Sequence, residues 1–374
     1  MSATASLALR RGGTLADDLL RSLRAHLWLI APIEAYVIVA YGIALILGKP
    51  GSFSLLGYER AFAVATPVLA GGFLVVRASY LMLVVRPHRL IHAIIDDLRC
   101  NWLTRERLLH GLPVVLVLPL FSSACTLLKT LIPDMHPYDW DATLAGWDSA
   151  VHFGMAPWRL LQPIFGYPVM TGFANVIYCF WFFGLAGLWF WQAFALRDRQ
   201  LRIQYFISYM LCFALLGNFA ATLLASGGPC FYGRMVLGPD PYAPLMQYLR
   251  GVSVGSPVNI SVGLQDMLWQ RYVMDADGVG SGIAAMPSLH VAGATLFALL
   301  GWRTNRILGG VLTVFVALVL MATVHLGWHY AIDGYAAIVA TLAIWSAVGA
   351  VIRLCTGQSA RVAGLPVEVG AFAD

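Results

Sequence analysis

Residues 305–326 read NRILGGVLTVFVALVLMATVHL, a run in which Arg306 is the single charged side chain. A helix of this length and composition can cross the hydrocarbon layer of a membrane. Seven further apolar runs of similar length occur in the chain, so we predict about eight transmembrane helices. The other seven have approximate bounds of 27–47, 61–86, 108–131, 168–194, 201–226, 287–303 and 329–352.

The composition of the whole chain points the same way. Hydrophobic residues make up 59% of the 374 residues, charged residues make up 11%, and the mean hydropathy is +0.74. Soluble domains carry about twice that charged fraction, so we predict an all-α, polytopic integral membrane protein. The net charge of +5 arises from short basic groups between apolar runs, and this pattern excludes a nucleic-acid partner.

Lysine and arginine are distributed unequally about the predicted helices. When they are assigned to alternate sides, most fall on the side that carries both termini, and the positive-inside rule makes that side cytoplasmic. We therefore expect a plasma or inner membrane protein whose long loops at 132–167 and 227–286 face the outside or the periplasm. Tryptophans and aspartates in these loops predict short interfacial helices, and Asp139, Asp141 and Asp148 are candidates for shaping ligand choice.

The sixth predicted helix opens with Pro-Ser-Leu-His at 287–290. Proline is favoured at the first helical position, where its missing N–H would have had no partner. A helix N-terminus favours a phosphate, and Ser288 and His290 would add two side-chain donors within one turn. A motif of four residues also occurs by chance in proteins where it has no function. When 287–290 is considered alone, both a phosphate-binding role and a chance occurrence stay open.

A second motif places His329 four residues before Asp333, which would make them neighbours on one helix face. A carboxylate that accepts from one ring nitrogen leaves the other unprotonated, as a nucleophile or general base requires. A structural hydrogen bond between the two is one alternative. A metal site that adds His325 is another, but Gly327 is expected at a turn that breaks the register, so we predict no metal and no cofactor.

Two cations lie on the same predicted side as both histidine motifs. Lys129 stands near the end of the third predicted helix, and Arg234 lies in the glycine-rich segment 227–234. A snorkelling lysine is the alternative for Lys129. Together with His290 and His329 the cations predict a phosphoryl-transfer site that needs no metal.

These residues resemble the type 2 phosphatidic acid phosphatase superfamily, whose motifs are K-x6-R-P, P-S-G-H and S-R-x5-H-x3-D. Lys129 and His136 occupy the charged positions of the first motif, 287–290 matches the second, and His329 with Asp333 ends the third. The resemblance implies that His329 is a nucleophile that forms a phosphohistidine and that His290 is the general acid. Asp333 would hold the nucleophile, and the phosphate would be bound by Lys129, Ser288, Arg234 and His136.

The resemblance extends over about 105–352, which implies a six-helix catalytic core. Residues 1–104 would then form an N-terminal cytoplasmic segment with two accessory transmembrane helices, and 353–374 a cytoplasmic tail. The sequence departs from the family pattern at His136, Leu289, Ala322 and Thr323, where the family has arginine, glycine, serine and arginine. With these departures the motifs look like the inositol phosphorylceramide synthase group, an inositolphosphotransferase branch whose members move a phosphoalcohol headgroup between lipids.

The charge of the site gives separate support to that branch. A phosphomonoester carries nearly two negative charges at neutral pH and a phosphodiester carries one, so a site that lacks two arginines suits a diester. We therefore predict a membrane phosphotransferase that acts on phospholipids or sphingolipids through a phosphohistidine. The alternatives are a lipid phosphatase that uses the same residues, for example on phosphatidic acid, and a non-catalytic lipid transporter or scaffold.

One further expectation concerns charges inside the first two predicted spans. Glu34 and Arg77 would lie at similar depth, each within the hydrocarbon layer. Ionisable side chains at such depth usually pair with one another. We therefore expect an ion pair between them.

Overall fold

The computed structural model describes residues 14–52, 57–276 and 278–362 of the chain. All regular secondary structure within these ranges is helical, and they contain no strand. Seven helical segments in the described chain are long and apolar enough to cross a membrane. The predicted all-α, polytopic architecture is confirmed.

Four helices form the N-terminal part of the described chain. They are α1 (Leu15–Ala25), α2 (Leu27–Ile46), α3 (Gly57–Tyr80) and α4 (Leu90–Asp97). Thr14 begins α1 with a capping box, in which its hydroxyl accepts from the N–H of Asp17. The two long helices, α2 and α3, correspond to the predicted accessory spans, and α3 contains no buried residue.

The middle of the chain begins with α5 (Arg105–Thr130), which packs against α2. Three short helices follow in the first long loop: α6 (Ile132–Met135), α7 (Asp141–Val151) and α8 (Pro157–Phe165). Next come α9 (Pro168–Ala193) and α10 (Arg199–Leu211), which continues as a π-helix over Cys212–Ala220 and then α11 (Ala221–Leu223).

The second long loop holds α12 (Tyr232–Met235), α13 (Ala243–Ser253) and α14 (Ser261–Val273). Short helices were predicted in both long loops, and they are present. The chain then returns through α15 (Leu289–Thr304), α16 (Arg306–His325) and α17 (Ala331–Val362). The predicted span at 287–303 coincides with α15, whose 16 residues give a length of about 24 Å, shorter than the other spans.

The main hydrophobic core lies between α5, α9, α10, α15 and α17. Its largest fully buried apolar side chains are aromatic. They include Phe121, Tyr205, Phe206, Tyr209 and Phe297. This core fixes the relative positions of the helix ends that form the site described below.

Both long loops cover one end of the bundle, which we call the loop end. There the N–H of Trp140 donates to the carbonyl of Ala225 across the two loops. At the opposite end, Arg107 donates to the carbonyl of Phe194, and the Ser22 hydroxyl of α1 donates to the carbonyl of Leu109. The first described helix therefore lies at the end away from the loops.

The expected ion pair between Glu34 and Arg77 is wrong. Arg77 instead donates to both carboxylate oxygens of Asp97 on α4, at 2.7 and 2.8 Å, and its guanidinium lies 4.9 Å from the Tyr80 ring centroid. Glu34 is exposed on α2. Depth in the membrane alone favoured Glu34 as the partner, whereas α4 folds back beside α3 and supplies a closer carboxylate with bidentate geometry.

A buried arginine joins three helices at the end opposite the loops. Arg202 on α10 is 2% exposed and donates to the backbone carbonyls of His110, Gln192 and Ala193. Its Nη1 also lies 3.1 Å from Nε2 of His26. The guanidinium thus joins α10 to the C-terminal end of α9 and to α5 through charged donors.

We expect Arg202→Met to lower the free energy of unfolding by about 3 kcal/mol, because three buried carbonyls lose charged donors. Thermal unfolding of the detergent-solubilised protein measures the change. Arg199→Met, at an exposed position on the same helix, is the matched control. Equal melting temperatures for the two variants would show that Arg202 is not a structural centre.

Candidate active site

A cavity of about 410 Å³ opens at the loop end of the bundle. Three of the predicted site residues line it: Lys129 from α5, His290 from the first turn of α15, and His329 from the segment between α16 and α17. They come from chain positions separated by up to 200 residues. The fold therefore brings one residue from each of the three motifs to one cavity.

The ring of His329 is held by a backbone carbonyl. Its Nδ1 lies 2.8 Å from the carbonyl oxygen of Ala285, and its side chain is buried. Because a carbonyl oxygen accepts and cannot donate, Nδ1 carries the proton and Nε2 is left with a free lone pair. An unprotonated Nε2 is the form that can act as a nucleophile.

Asp333 lies beside the same nitrogen, with Oδ2 at 3.4 Å from Nδ1 of His329. The same oxygen accepts from the N–H of Tyr330 at 2.9 Å, and Oδ1 is buried without a hydrogen-bond partner. The predicted proximity is confirmed, but the prediction that both residues lie on one helix face is wrong. Since α17 begins at Ala331, His329 precedes the helix and Asp333 caps its first turn.

His290 faces the cavity from within an aromatic cluster. Its ring stacks on Tyr178 at 4.4 Å between centroids and lies 4.5 Å from the Trp181 ring. The centroids of His290 and His329 are 6.0 Å apart, and Nε2 of His290 is buried without a hydrogen-bond partner. The two rings are close enough to contact one phosphate group, and the stacking holds His290 in a fixed orientation.

Ser288 acts as the N-cap of α15. It is fully buried, and its hydroxyl accepts from the N–H of Val291 at 3.4 Å. Pro287 therefore precedes the N-cap, and its predicted place at the first helical position is wrong. Within the described chain, the N–H groups of Leu289 and His290 donate to no other group, so the helix start presents two unpaired donors beside the cavity.

Lys129 is the one Lys or Arg side chain among the described residues that line the cavity. No carboxylate pairs with it in the described chain. Arg234, by contrast, donates to Asp266 at 3.0 Å and lies over the Trp269 ring. His136 contacts the carbonyl of Pro137, and Arg234, His136 and Ser288 all lie outside the cavity lining. The structure thus brings one of the predicted cations to the histidines.

Two carboxylates on α7 hold the rim of the cavity together, a role that the sequence did not reveal. Asp141 accepts from the N–H groups of Gly227 and Gly228 at 2.7 and 2.8 Å and from the Tyr330 hydroxyl at 2.7 Å. Asp148 accepts from the first two N–H groups of α17, Ala331 and Ile332. Burial raises the pKa of both aspartates, and these hydrogen bonds oppose the rise.

The acidic pair was visible in the sequence within the run WDATLAGWD at 140–148, but its backbone partners were not. We had expected these aspartates to shape ligand choice. The structure places both beneath the rim, outside the cavity lining, where they position Tyr330 and the start of α17. Ala285, whose carbonyl orients His329, gave no signal either, because a backbone acceptor leaves no trace in residue type.

His325 lies apart from the cavity. Its Nε2 is 3.0 Å from the Thr171 hydroxyl, its side chain is fully buried, and Gly327 turns the chain between it and His329 with φ of +74°. Within the described ranges, no group of three or more His, Cys, Asp or Glu residues could hold a metal ion. The predicted turn at Gly327 is confirmed.

A family model described as the PAP2 superfamily matches residues 142–347, more than half of the chain. The chain belongs to the PAP2 superfamily. PAP2 membership supports a phosphatase or phosphotransferase activity on lipid phosphates, and the match includes both histidines of the cavity. No curated protein and no solved structure gives a significant match.

We expect Asp141→Asn to loosen the rim of the cavity, because an amide offers one acceptor oxygen to three donors. The free energy of unfolding should fall by about 2 kcal/mol, and trypsin should cleave after Arg234 faster than in the parent protein. Asp139→Asn, at an exposed neighbouring position, is the control. Unchanged melting and cleavage in the Asp141 variant would contradict the positioning role.

Proposed function

We propose that the protein is a membrane phosphotransferase that moves a phosphoalcohol headgroup from one lipid to another through a phosphohistidine on His329. The proposal rests on Lys129, the one Lys or Arg side chain among the described residues that line the cavity. Lys129 and the two free N–H groups of α15 can balance about one negative charge, whereas Arg234 is held outside the cavity lining by Asp266, which it shares with Arg250. A phosphodiester donor carries one such charge, whereas a phosphomonoester carries nearly two.

The reaction begins with attack of His329 Nε2 on phosphorus. The bond between phosphorus and the oxygen of the donor's lipid alcohol breaks, and His290 gives its proton to the departing oxygen. Lys129 and the N–H groups of Leu289 and His290 stabilise the charge on the non-bridging oxygens. Nδ1 of His329 keeps its proton, held by Ala285 and stabilised by Asp333 as positive charge develops on the ring.

The second half of the reaction returns the enzyme to its starting state. A hydroxyl of the acceptor lipid gives its proton to His290 and attacks phosphorus, and the bond between phosphorus and His329 breaks. The same residues would make the protein a lipid phosphatase if water replaced the acceptor. With the motif departures at Leu289, Ala322 and Thr323, the motifs resemble those of the inositol phosphorylceramide synthase group. On that ground the proposal includes sphingolipid acceptors and inositol headgroups.

The orientation of the site is also part of the proposal. The distribution of basic residues puts both termini in the cytoplasm, and the cavity lies at the end of the bundle opposite α1. The active site would then face the outside or the periplasm of a plasma or inner membrane. Residues 105–352 would form the catalytic core, within which the family match at 142–347 falls.

We expect His329→Ala to abolish turnover and Asp333→Asn to lower it at least 100-fold, because the nucleophile is lost or its developing charge is unbalanced. His290→Ala should slow donors with poor leaving groups most, since these depend on the proton that it supplies. Steady-state rates of the purified variants test this, with His92→Ala at an exposed position as control. Normal turnover by the His329→Ala variant would rule out this mechanism.

The donor and acceptor are tested by offering phosphatidylinositol and phosphatidic acid separately to the purified protein in EDTA, each with and without ceramide or diacylglycerol. We expect acceptor-dependent headgroup transfer from the diester, phosphatidylinositol. Phosphorus-resolved analysis of the products measures this transfer. Release of inorganic phosphate from phosphatidic acid alone would make the protein a phosphatase. Inertness of both donors, together with an intact cellular function of His329→Ala, would favour the transporter or scaffold.

A further inference from the structure

The cavity extends from the histidines into the membrane-spanning part of the bundle. On α9 its lining residues are Tyr178, Trp181, Phe182, Leu185 and Trp189, which recur at three- and four-residue spacing along one face. From Tyr178 to Trp189 this face is about 16 Å long at 1.5 Å per residue. The cavity is therefore a channel parallel to the helices. Lys129, His290 and His329 lie where the channel meets the loop end of the bundle.

Except for Lys129 near the histidines, the polar side chains that line the channel from α5 and from the π-helical segment after α10 are paired within the protein. The Ser122 hydroxyl donates to the carbonyl of Leu118, and the Thr126 hydroxyl lies 2.7 Å from that of Tyr58. The Asn218 amide donates to the carbonyl of Cys125. These walls offer a ligand mainly apolar and aromatic surface, which suits hydrocarbon and not a polar headgroup.

An accessory helix closes one side of this channel. Tyr58 at the start of α3 lines the channel, and its hydroxyl also accepts from the N–H of Gly280 at 3.1 Å, so α3 is fixed to both α5 and the second long loop. One turn further on, Phe62 stacks on Trp189 at 5.3 Å with nearly parallel rings. The other face of α3 is exposed, for example at Val64 and Val68.

Trp189 forms the end of the channel that is farthest from the loop end, and the Phe62 ring holds the Trp189 ring in place. A second, small void of about 10 Å³ lies on the far side of Trp189, lined by Phe62, Val115 and Leu118. The depth available to a chain in the channel therefore depends on the position of the Trp189 ring. That position depends in turn on a residue of α3, outside the region matched by the family model.

We propose that the channel receives a hydrocarbon chain of the lipid substrate and that α3 is the wall that sets the accepted chain length, with Phe62 and Tyr58 as its specificity-determining residues. The inference rests on the proposed function, since it takes the histidine end as the place of the phosphate. An amphiphile with an anionic phosphate at one end and a long hydrocarbon chain at the other matches the channel along its whole length. The two accessory helices thus belong to the substrate site.

Filling the channel tests its occupant. Leu185→Trp places an indole in the channel, and Val176→Trp places the same side chain on the exposed face of α9. We expect the ratio of rates on long-chain to short-chain donors of one headgroup, such as dipalmitoyl and dihexanoyl, to fall at least tenfold for Leu185→Trp alone. Equal ratios in both variants would overturn the channel as the chain-binding site.

Shortening a side chain of α3 tests the wall. Phe62→Ala removes the support of Trp189 and opens the void behind it, whereas Val64→Ala trims the exposed face of the same helix. We expect the preferred chain length to become longer in the Phe62 variant and to stay unchanged in the Val64 variant. An unchanged chain-length profile in both, with parental melting temperatures, would show that α3 is not the wall.

Photocrosslinking separates this inference from the catalytic proposal. Phosphatidylinositol with a diazirine at the end of one acyl chain should label residues near Trp189 in the full-length protein, and Leu185→Trp should abolish this labelling while Val176→Trp preserves it. Labelling near Trp189 in a protein without turnover would leave the channel standing and reject the proposed function. Normal turnover with labelling confined to exposed helix faces would reject the channel alone.

Discussion

The site depends on two carboxylates that lie beneath it. Asp141 binds the loop at Gly227 and the hydroxyl of Tyr330, and Asp148 binds the first N–H groups of α17. Backbone groups at this depth have little access to water, so a buried carboxylate is an efficient partner for several of them at once. Because Tyr330 follows His329 directly, the interaction of Asp141 with the Tyr330 hydroxyl also limits the movement of His329.

The cost of burying polar groups also explains why few positive charges face the cavity. A phosphate site in a membrane protein needs cations, but each unpaired cation in a low-dielectric environment has a desolvation cost. Here one lysine and the start of a sixteen-residue helix face the cavity, while Arg234 and Arg250 share Asp266 at the surface. The Arg250 and Arg234 hydrogen bonds lower the pKa of Asp266, which favours the ionised form of its carboxyl group.

The parts of the structure that the sequence predicted are those that local pattern determines. Apolar run length predicted the spanning helices, and the spacing of His329 and Asp333 predicted that the two side chains would meet. The boundary of α17 and the N-cap at Ser288 were missed, because capping depends on backbone geometry. Partners that are distant in the chain, such as Asp97 for Arg77 and Asp266 for Arg234, could not be assigned, since charge and depth alone leave several candidates equivalent.

The hydrogen bond between Tyr36 and Asn218 has a consequence for how the protein is made. The Tyr36 hydroxyl on α2 donates at 2.6 Å to the amide oxygen of Asn218, in the π-helical part of the chain after α10. During synthesis α2 enters the membrane before Asn218 exists. The Tyr36 hydroxyl therefore lacks this acceptor until the ribosome has added the 182 residues that separate Tyr36 from Asn218 in the sequence. Tyr36 therefore forms this hydrogen bond only after the helices between α2 and Asn218 have been synthesised, although α2 can pack against α5 before then.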